Sequence, residues 1–238
     1  MHIRGRMDVN SLKRLQYKQK DSFTQFDEKV CSLLQANYYV LDVGCGRVTR
    51  AAIKGSCQMA VGVDADQRVC SNLGVDSIVH GNTSSLPFKD NTFDLAMSWM
   101  VVEHLDNPQE CFAELRRVCK KDATVVVVTP NVFHYANLIV KLTPYRFHEW
   151  FTKHILKGSF EESFPTRYRA NSPRRLAGMM RKAGFKVLEM RCIDEGPVYL
   201  DTLAPLYAVG LIYHRLVNCF TKLSFLRLTI FGVFARKD

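Results

Sequence analysis

Several features that define specialised classes of protein are absent from this sequence. The 238 residues include only 13 glycines, 8 prolines and 24% charged residues, and they contain no repeat and no low-complexity tract. Collagen, solenoid repeats, coiled coil and intrinsic disorder are therefore excluded as the organisation of the chain. Hydrophobic residues make up 47% of the sequence, as in a typical globular protein, and the length suits one α/β domain with insertions.

Signals for secretion, membrane spanning and metal binding are also missing. Residues 1–6 are polar and basic and lack the apolar segment of a signal peptide, so we expect a cytoplasmic protein. The two longest uncharged runs, 123–140 and 202–214, contain Pro130 and Pro205, which disfavours a transmembrane helix. The eight cysteines form no C-x-x-C pair, which favours reduced thiols over a disulfide framework or a zinc site.

Basic residues outnumber acidic ones, and the two kinds are unevenly distributed. The formal net charge is +10. Residues 42–115 carry five basic and ten acidic side chains, whereas residues 141–191 carry twelve basic and four acidic ones. The surplus favours an acidic partner, which would be nucleic acid, a phosphorylated substrate or an anionic membrane surface.

Short apolar runs at residues 38–43, 59–64, 77–81, 93–98 and 123–129 predict five β-strands. We expect helices in the spaces between them, most clearly at 108–119, where apolar residues recur at helical spacing. This alternation predicts an α/β fold with a doubly wound, mostly parallel sheet. Two further strands, at 185–191 and 228–235, would complete a seven-stranded sheet, with the second as an antiparallel edge.

Residues 199–223 form a long apolar stripe at helical spacing. One interpretation is a helix that packs on the sheet or on a lid. The other is a helix at a membrane surface or against an apolar substrate, with Arg215 and Lys222 at its edge.

The most informative stretch is residues 40–46, where a predicted strand ends in Gly44-Cys45-Gly46. Two glycines spaced by one allow a sharp turn into a following helix and leave room for a ligand at the carboxyl end of the strand. Asp64 ends the next strand eighteen residues after Gly46, where a carboxylate can accept hydrogen bonds from both ribose hydroxyls. This combination predicts a site for an adenosine-type ligand.

The remainder of the turn distinguishes between two such ligands. A dinucleotide site requires a third glycine so that the pyrophosphate reaches a helix N-terminus, and the sequence has none. Asp42, directly before the turn, would repel phosphates but could receive the ammonium group of a methionine moiety. The residues therefore favour S-adenosyl-L-methionine over a nicotinamide dinucleotide.

These motifs resemble those of the class I S-adenosylmethionine-dependent methyltransferases, in particular the small-molecule group, whose first-strand motif reads like residues 41–46. The likeness extends over residues 38–131 and includes 62–64, 85–95 and 102–105. It implies a Rossmann-like methyltransferase fold, methyl transfer, S-adenosyl-L-methionine as cofactor and S-adenosyl-L-homocysteine as product.

The resemblance also implies roles for individual residues. The implied cofactor-binding residues are Asp42, Gly44, Cys45 and Gly46 for the methionine part, Asp64 and Ala65 for the ribose, Asn82 and Thr83 for the adenine edge, and Ser98, Trp99 and Met100 after the fourth strand. Two positions depart from the family pattern: Val48 stands where another glycine is common, and Asn82 where an acidic residue is common. Asn82 could still accept a hydrogen bond from the adenine amine through its carbonyl oxygen.

Residues 131–175 are rich in aromatic and basic side chains and begin at the carboxyl edge of the sheet, so we expect a helical lid that recognises the acceptor. The segment resembles lids of methyltransferases encoded with bacterial polysaccharide and envelope biosynthesis genes, in which residues 165–166, 168–171 and 173–174 fall similarly. The predicted acceptor-binding residues are His134, Tyr135, His148, Trp150 and Tyr168. Core packing of a small helical cap is the alternative for each of them.

We divide the predicted single domain into a helical cap at 1–37, a cofactor-binding core at 38–131, the acceptor lid at 132–176, and a C-terminal helix and strands at 177–238. His104, after the fourth strand, is the candidate catalytic base for a hydroxyl acceptor, or else a histidine bonded to backbone at a helix start. No metal is expected, because His148 and His154 lack a third ligand in a definite pattern.

The predicted activity is methyl transfer to an oxygen of a small-molecule, glycan or lipid-linked acceptor, with peripheral contact with an anionic membrane. An RNA methyltransferase is a rival because of the net charge, although no RNA-binding module is present, so nucleic acid is disfavoured as a partner. A non-catalytic adenosine-binding protein that docks on membranes is the second rival.

Overall fold

The computed structural model describes residues 20–69, 71–142, 165–197, 200 and 204–237. The helices are α1 (Ser22–Leu33), α2 (Pro108–Val118), α3 (Tyr135–Leu142), α4 (Pro173–Lys182) and α5 (Ala204–Cys219). The strands are β1 (Tyr39–Val43), β2 (Met59–Asp64), β3 (Ser77–His80), β4 (Phe93–Trp99), β5 (Cys119–Pro130), β6 (Phe185–Ile193) and β7 (Thr229–Arg236). Two 3-10 helices cover Val102–His104 and Thr221–Leu226.

The seven strands form one sheet in the order β3-β2-β1-β4-β5-β7-β6. β1 to β5 are mutually parallel, and β7 runs antiparallel between β5 and β6. The predicted fold class is confirmed, but the prediction that the last strand is an edge is wrong. β7 pairs with neighbours on both sides, and β6 is the edge strand at this end of the sheet, because β7 lies between β5 and β6.

Alternate residues of the strands face two separate cores, one on each side of the sheet. One core contains Leu41 and Phe112 with the apolar faces of α2 and α4, and the other contains Val40 with Phe26 of α1. The helices start where the sequence offers capping groups: Asp21 accepts a hydrogen bond from Thr24 N at 2.7 Å, and Ser172 caps α4. Apolar burial on both faces thus makes the sheet a central layer.

The helices expected between the first four strands are not present in the described parts of these connections, so that prediction is wrong. Residues 44–58, 65–76 and 81–92 instead form irregular turns, apart from Cys70, which lies outside the described residues. Asparagine and aspartate side chains cap these turns by accepting a hydrogen bond from the backbone N–H two residues on, at Asp64, Asp66, Asn72 and Asn82. Such bonds satisfy backbone groups locally and compete with helix formation.

Helices α3 and α5 lie at the carboxyl edge of the sheet, where the parallel strands end. α3 follows β5, while α5 lies between β6 and β7 and packs on Pro197 and Leu200 through Gly210, where a β-carbon would approach Pro197 Cβ to 2.5 Å. Within the described ranges, no helix is long and apolar enough to cross a bilayer. Of the predicted lid, residues 143–164 lie outside the described residues.

Candidate cofactor and acceptor site

The glycine turn after β1 has left-handed backbone at both glycines, with φ of 72° at Gly44 and 52° at Gly46. L-residues rarely adopt this conformation, which explains glycine at both positions. A β-carbon on Gly44 would lie 2.2 Å from Cγ2 of Val101, so that space is filled by the segment after β4 and not left for a ligand. A β-carbon on Gly46 would meet no atom within 4 Å. The open position of the turn is therefore Gly46.

A buried asparagine that the sequence analysis did not identify holds this turn. Asn72 Nδ2 donates to the carbonyl oxygens of Cys45 at 3.0 Å and Gly46 at 3.1 Å. Its Oδ1 accepts from Thr49 N at 3.3 Å. No local signal marks Asn72, because its role depends on two loops meeting beside the sheet.

Asp64 lies at the carboxyl end of β2, adjacent to the glycine turn as predicted. Its Oδ2 accepts from Gly46 N at 2.8 Å, and its Oδ1 accepts from Asp66 N at 2.9 Å. Each carboxylate oxygen has further acceptor capacity, so two ribose hydroxyls can still donate to it. Ala65 lies in the turn between these two aspartates.

Asp42 is buried at the end of β1, in register with Gly62 of β2 and Met97 of β4. Burial raises the pKa of Asp42 to about 7, the charge of Asp64 adds to the rise, and the hydroxyl of Thr49 opposes it. A carboxyl group in this state gains from a nearby cation, because the cation stabilises the ionised form.

Asn82 and Thr83 lie in the turn after β3. Asn82 Oδ1 accepts from both the backbone N–H and the hydroxyl of Ser84, each at 3.0 Å. These two bonds occupy the oxygen that was expected to accept from the adenine amine, so such a contact would replace one of them. The Thr83 side chain lies beside the buried thiol of Cys111.

The segment after β4 brings Ser98, Trp99 and Met100 to the same edge. Ser98 is buried, and Met100 has a left-handed φ of 54° with its N–H donating to Val128 O at 2.9 Å. The Trp99 ring packs edge-on against Phe23 and Phe26 of α1, with centroid distances of 5.9 and 5.2 Å. Trp99 therefore anchors α1 to the sheet.

His104 ends the 3-10 helix that follows this segment. Its Nδ1 lies 3.3 Å from the carbonyl oxygen of Pro165, and its Nε2 lies 3.8 Å from Oε1 of Glu103. Because a carbonyl can only accept, Nδ1 carries the proton in this contact and the lone pair is on Nε2. This tautomer is the one that a base acting through Nε2 requires.

Glu103, which the sequence analysis did not identify, is buried beside His104 and begins a polar chain. Its carboxylate accepts from the Thr129 hydroxyl at 2.9 Å, and Thr129 in turn accepts from Asn171 Nδ2 at 2.7 Å. Its backbone carbonyl accepts from the N–H groups of Arg167 and Tyr168. Burial raises the pKa of Glu103 to about 7. These contacts fasten residues 167–171 to the ends of β4 and β5.

The predicted acceptor residues are only partly brought together. His134 and Tyr135 follow β5, with ring centroids 4.1 Å apart, and Tyr213 of α5 packs edge-on against both. Tyr168 is buried with a φ of 50°. His148 and Trp150 lie outside the described residues.

The environment of His134 determines its proton state. Its Nδ1 accepts from Ala136 N at 3.3 Å, so Nε2 carries the proton, and burial lowers the pKa of the ring to about 4. The Nε2 atom is buried and has no hydrogen-bond partner among the residues that the structure describes. His134 is thus a neutral donor, and it is suited to contact an oxygen and not to remove a proton.

A second buried polar group lies at the same edge, beyond β7. Asp194 follows β6 and pairs with Nδ1 of His214 on α5, and Asn218 Nδ2 donates to the same carboxylate at 2.6 Å. β6 lies three strand positions from β4 in the sheet, and the pair fixes α5 against the end of β6.

The sequence similarity to known proteins covers the cofactor-binding half of this site. Residues 41–127 match the methyltransferase domain family. A "probable S-adenosylmethionine-dependent methyltransferase" of Mycolicibacterium smegmatis is 30% identical over 97 residues, which are 39% of this chain and 38% of that protein. The uncharacterized methyltransferase YcgJ of Bacillus subtilis is 30% identical over 112 residues, 43% of each chain. The chain thus spans less than half the length of these curated relatives.

Solved structures extend the likeness over most of the fold. The crystal structure of YcgJ has a TM-score of 0.56 at 15% identity, covering 90% of this chain and 99% of that one. Phosphoethanolamine N-methyltransferase 2 of Haemonchus contortus, in complex with S-adenosyl-L-methionine, has a TM-score of 0.54 at 14% identity, covering 90% of this chain and 53% of that one. At such identities the likeness concerns the fold.

Proposed function

The chain is a member of the class I S-adenosylmethionine-dependent methyltransferases, and from this premise we propose that it methylates an oxygen of a small-molecule, glycan or lipid-linked acceptor. The observation that carries the proposal is the turn between β1 and β2. There the open Gly46 position and the acceptor capacity of Asp64 lie beside the buried carboxyl of Asp42.

These residues fit the cofactor chemically. Asp64 would hold the ribose, and Asp42 would receive the ammonium group of the methionine part, which compensates the cost of burying a carboxylate. Bound S-adenosyl-L-methionine supplies a methyl group that is already activated by its sulfonium sulfur. The protein then has to align the nucleophile, exclude water and take up a proton.

We propose that His104 takes up that proton. Its Nδ1 is directed to the Pro165 carbonyl, so Nε2 is the ring nitrogen that would accept the proton of an acceptor hydroxyl. Glu103 at 3.8 Å would stabilise the imidazolium once it forms. Loss of a general base of this kind costs about 10²–10⁴-fold in turnover.

The acceptor is proposed to bind between the end of β4 and the aromatic group of His134, Tyr135 and Tyr213. His134 supplies a neutral N–H donor, which suits an oxygen-bearing acceptor. Together with the surplus of positive charge, the apolar surroundings of this group suit an acceptor presented by an anionic membrane, which the protein would contact peripherally from the cytoplasm.

Label transfer tests the function. Purified protein is incubated with S-adenosyl-L-methionine carrying a trideuterated methyl group, together with lipid, glycan or RNA extracts, and products are identified by mass spectrometry. We expect label in the lipid or glycan fraction, and a large loss of turnover in His104→Ala with unchanged cofactor affinity. Label in RNA would favour the rival methyltransferase activity. Cofactor binding without label in any fraction would favour the non-catalytic alternative.

A further inference from the structure

Most of the exposed apolar side chains of the described residues lie in three segments. Ten of the fifteen large hydrophobic residues that are exposed belong to α3, α5 and the residues next to them. We call this set the α3–α5 surface, and it comprises Phe133, Leu138, Ile139, Leu142, Leu206, Val209, Ile212, Leu216, Phe220 and Phe225.

Direct contacts join the segments of the α3–α5 surface. The rings of Tyr135 and Tyr213 meet edge-on at a centroid distance of 5.0 Å, which ties α3 to α5. The rings of Phe133 and Phe225 meet edge-on at 6.0 Å, which ties the start of α3 to the 3-10 helix after α5. These contacts place α3, α5 and the 3-10 helix next to one another, beside the carboxyl edge of the sheet.

Helix α5 is apolar on two faces. Its inner face buries Tyr207, Gly210, Leu211, His214 and Val217. Its outer face exposes Leu206, Val209, Ile212 and Leu216, and Val209 and Ile212 are 61% and 60% exposed. Packing on the sheet accounts for the first face only, and an exposed apolar area of this extent is characteristic of an interaction site.

The charged side chains of the chain segments that form the α3–α5 surface are all basic. Residues 131–142 and 204–237 contain no aspartate or glutamate. Arg215 and Lys222 are exposed at the edge of the apolar stripe. An apolar centre with a basic edge, built from two segments that contain no acidic residue, is complementary to lipid tails and anionic headgroups.

From these observations we propose that the α3–α5 surface docks on an anionic lipid bilayer, with α5 lying in the plane of the interface. α5 has 16 residues, which is shorter than the roughly 20 residues of a transmembrane helix and agrees with a position in the membrane interface. This inference deepens the proposed function, because α3 directly follows β5 and the docked protein would present its acceptor site to molecules held in the membrane.

Vesicle sedimentation tests the docking. The protein is mixed with phosphatidylglycerol or phosphatidylcholine vesicles at two salt concentrations, with V209S/I212S and R215Q/K222Q as variants. We expect binding to the anionic vesicles that weakens with salt, and at least tenfold weaker binding for V209S/I212S. R215Q/K222Q should lose about fivefold per charge, as follows from about 1 kcal/mol per basic residue at an anionic surface.

Leu188 of β6 provides a matched control, because it is also exposed but lies outside the α3–α5 surface. L188S should bind vesicles like the wild type. Equal binding to both lipids, no binding, or the same loss in L188S would overturn the proposal. A dimer in solution that V209S/I212S dissociates would identify a second copy of the chain as the occupant instead. Calorimetry with S-adenosyl-L-homocysteine on the same samples tests the proposed function separately, since docking variants should leave that affinity unchanged.

Discussion

Asp42→Asn offers a quantitative test of the cofactor site. Burial holds the pKa of Asp42 at about 7, whereas its ordinary value is 3.8. If the ionised form receives the ammonium group of the ligand, the competent fraction is about 0.9 at pH 8 and about 0.1 at pH 6. The affinity for S-adenosyl-L-homocysteine should therefore fall about tenfold between these pH values, and Asp42→Asn should bind more weakly at pH 8 without that dependence.

Titration calorimetry measures both effects, and two controls isolate Asp42. Methylthioadenosine lacks the amino-acid part, so its affinity should not vary with pH. Glu103 also has a pKa raised to about 7, and Glu103→Gln should keep the pH dependence of the wild type. A wild-type affinity that is constant from pH 6 to pH 8, or a dependence that survives in Asp42→Asn, would refute the role assigned to Asp42.

The raised pKa of Asp42 also makes the free energy of unfolding depend on pH. A carboxyl group whose pKa is raised by folding contributes stability fully at pH values below its unfolded pKa near 3.8, and this contribution is lost as the pH rises through about 7. At 1.36 kcal/mol per pKa unit the loss is on the order of 4 kcal/mol. Bound ligand, by supplying a cation, should reduce it.

Three further predictions concern other parts of the site. Asp64→Ala should weaken binding of S-adenosyl-L-homocysteine by about 1–3 kcal/mol in calorimetry, because ribose hydroxyls lose their partner; unchanged affinity would contradict the assignment. Gly44→Ala should lower the free energy of unfolding in urea by about 2–4 kcal/mol through left-handed backbone and overlap with Val101, whereas Gly46→Ala, with open space, should cost only about 1–2 kcal/mol. Replacing residues 143–164 by a short linker should keep cofactor affinity and abolish label transfer; full activity would argue against an acceptor lid.

The structure limits how that lid can be removed. Asn131 and Asn171 lie within the insertion predicted from the sequence, yet both are buried. Asn131 donates to the backbone carbonyls of Phe225 and Arg227 before β7, and Asn171 donates to that of Pro130 at the end of β5. A deletion of the whole 131–175 segment would therefore remove supports of β5. The shorter deletion tests acceptor recognition without that effect.

The central strands β1, β2 and β4 could be predicted because they are short apolar runs, and burial of such runs on both faces is typical of a parallel sheet. Residues 59–64 were predicted with the bounds that the structure has, and 108–119 differs from helix α2 by one residue. The position of β7 could not be predicted in this way. Pairing with β5 and β6 is a long-range property, which the apolar run of residues 228–235 does not encode.

The irregular connections show why local patterns mispredicted helices. Residues 47–58 contain β-branched Val48, Thr49 and Ile53, followed by Gly55 with a φ of 77°. These residues have low helix propensity, and the Asn72 side chain binds Thr49 N. Ile53 is nonetheless fully buried in the core that contains α1, so the segment covers the sheet without being helical.

The candidate site was predictable to the extent that its residues directly follow strands. Asp42, the glycines and Asp64 are close together because carboxyl ends of neighbouring parallel strands meet at one edge. Asn72, Glu103 and the Asp194–His214 pair could not be found similarly. Their roles depend on partners that are distant in the sequence, such as Thr129 for Glu103 and α5 for Asp194.

The most direct test of the central claim compares two ligands on the wild-type protein. Titration calorimetry with S-adenosyl-L-homocysteine and with NAD, at pH 8 and the same protein concentration, measures which adenosine ligand the glycine turn accepts. We expect saturable binding of S-adenosyl-L-homocysteine and much weaker binding of NAD, because Asp42 repels phosphates and the turn lacks the third glycine and the following helix of a pyrophosphate site. Tighter binding of NAD would contradict it.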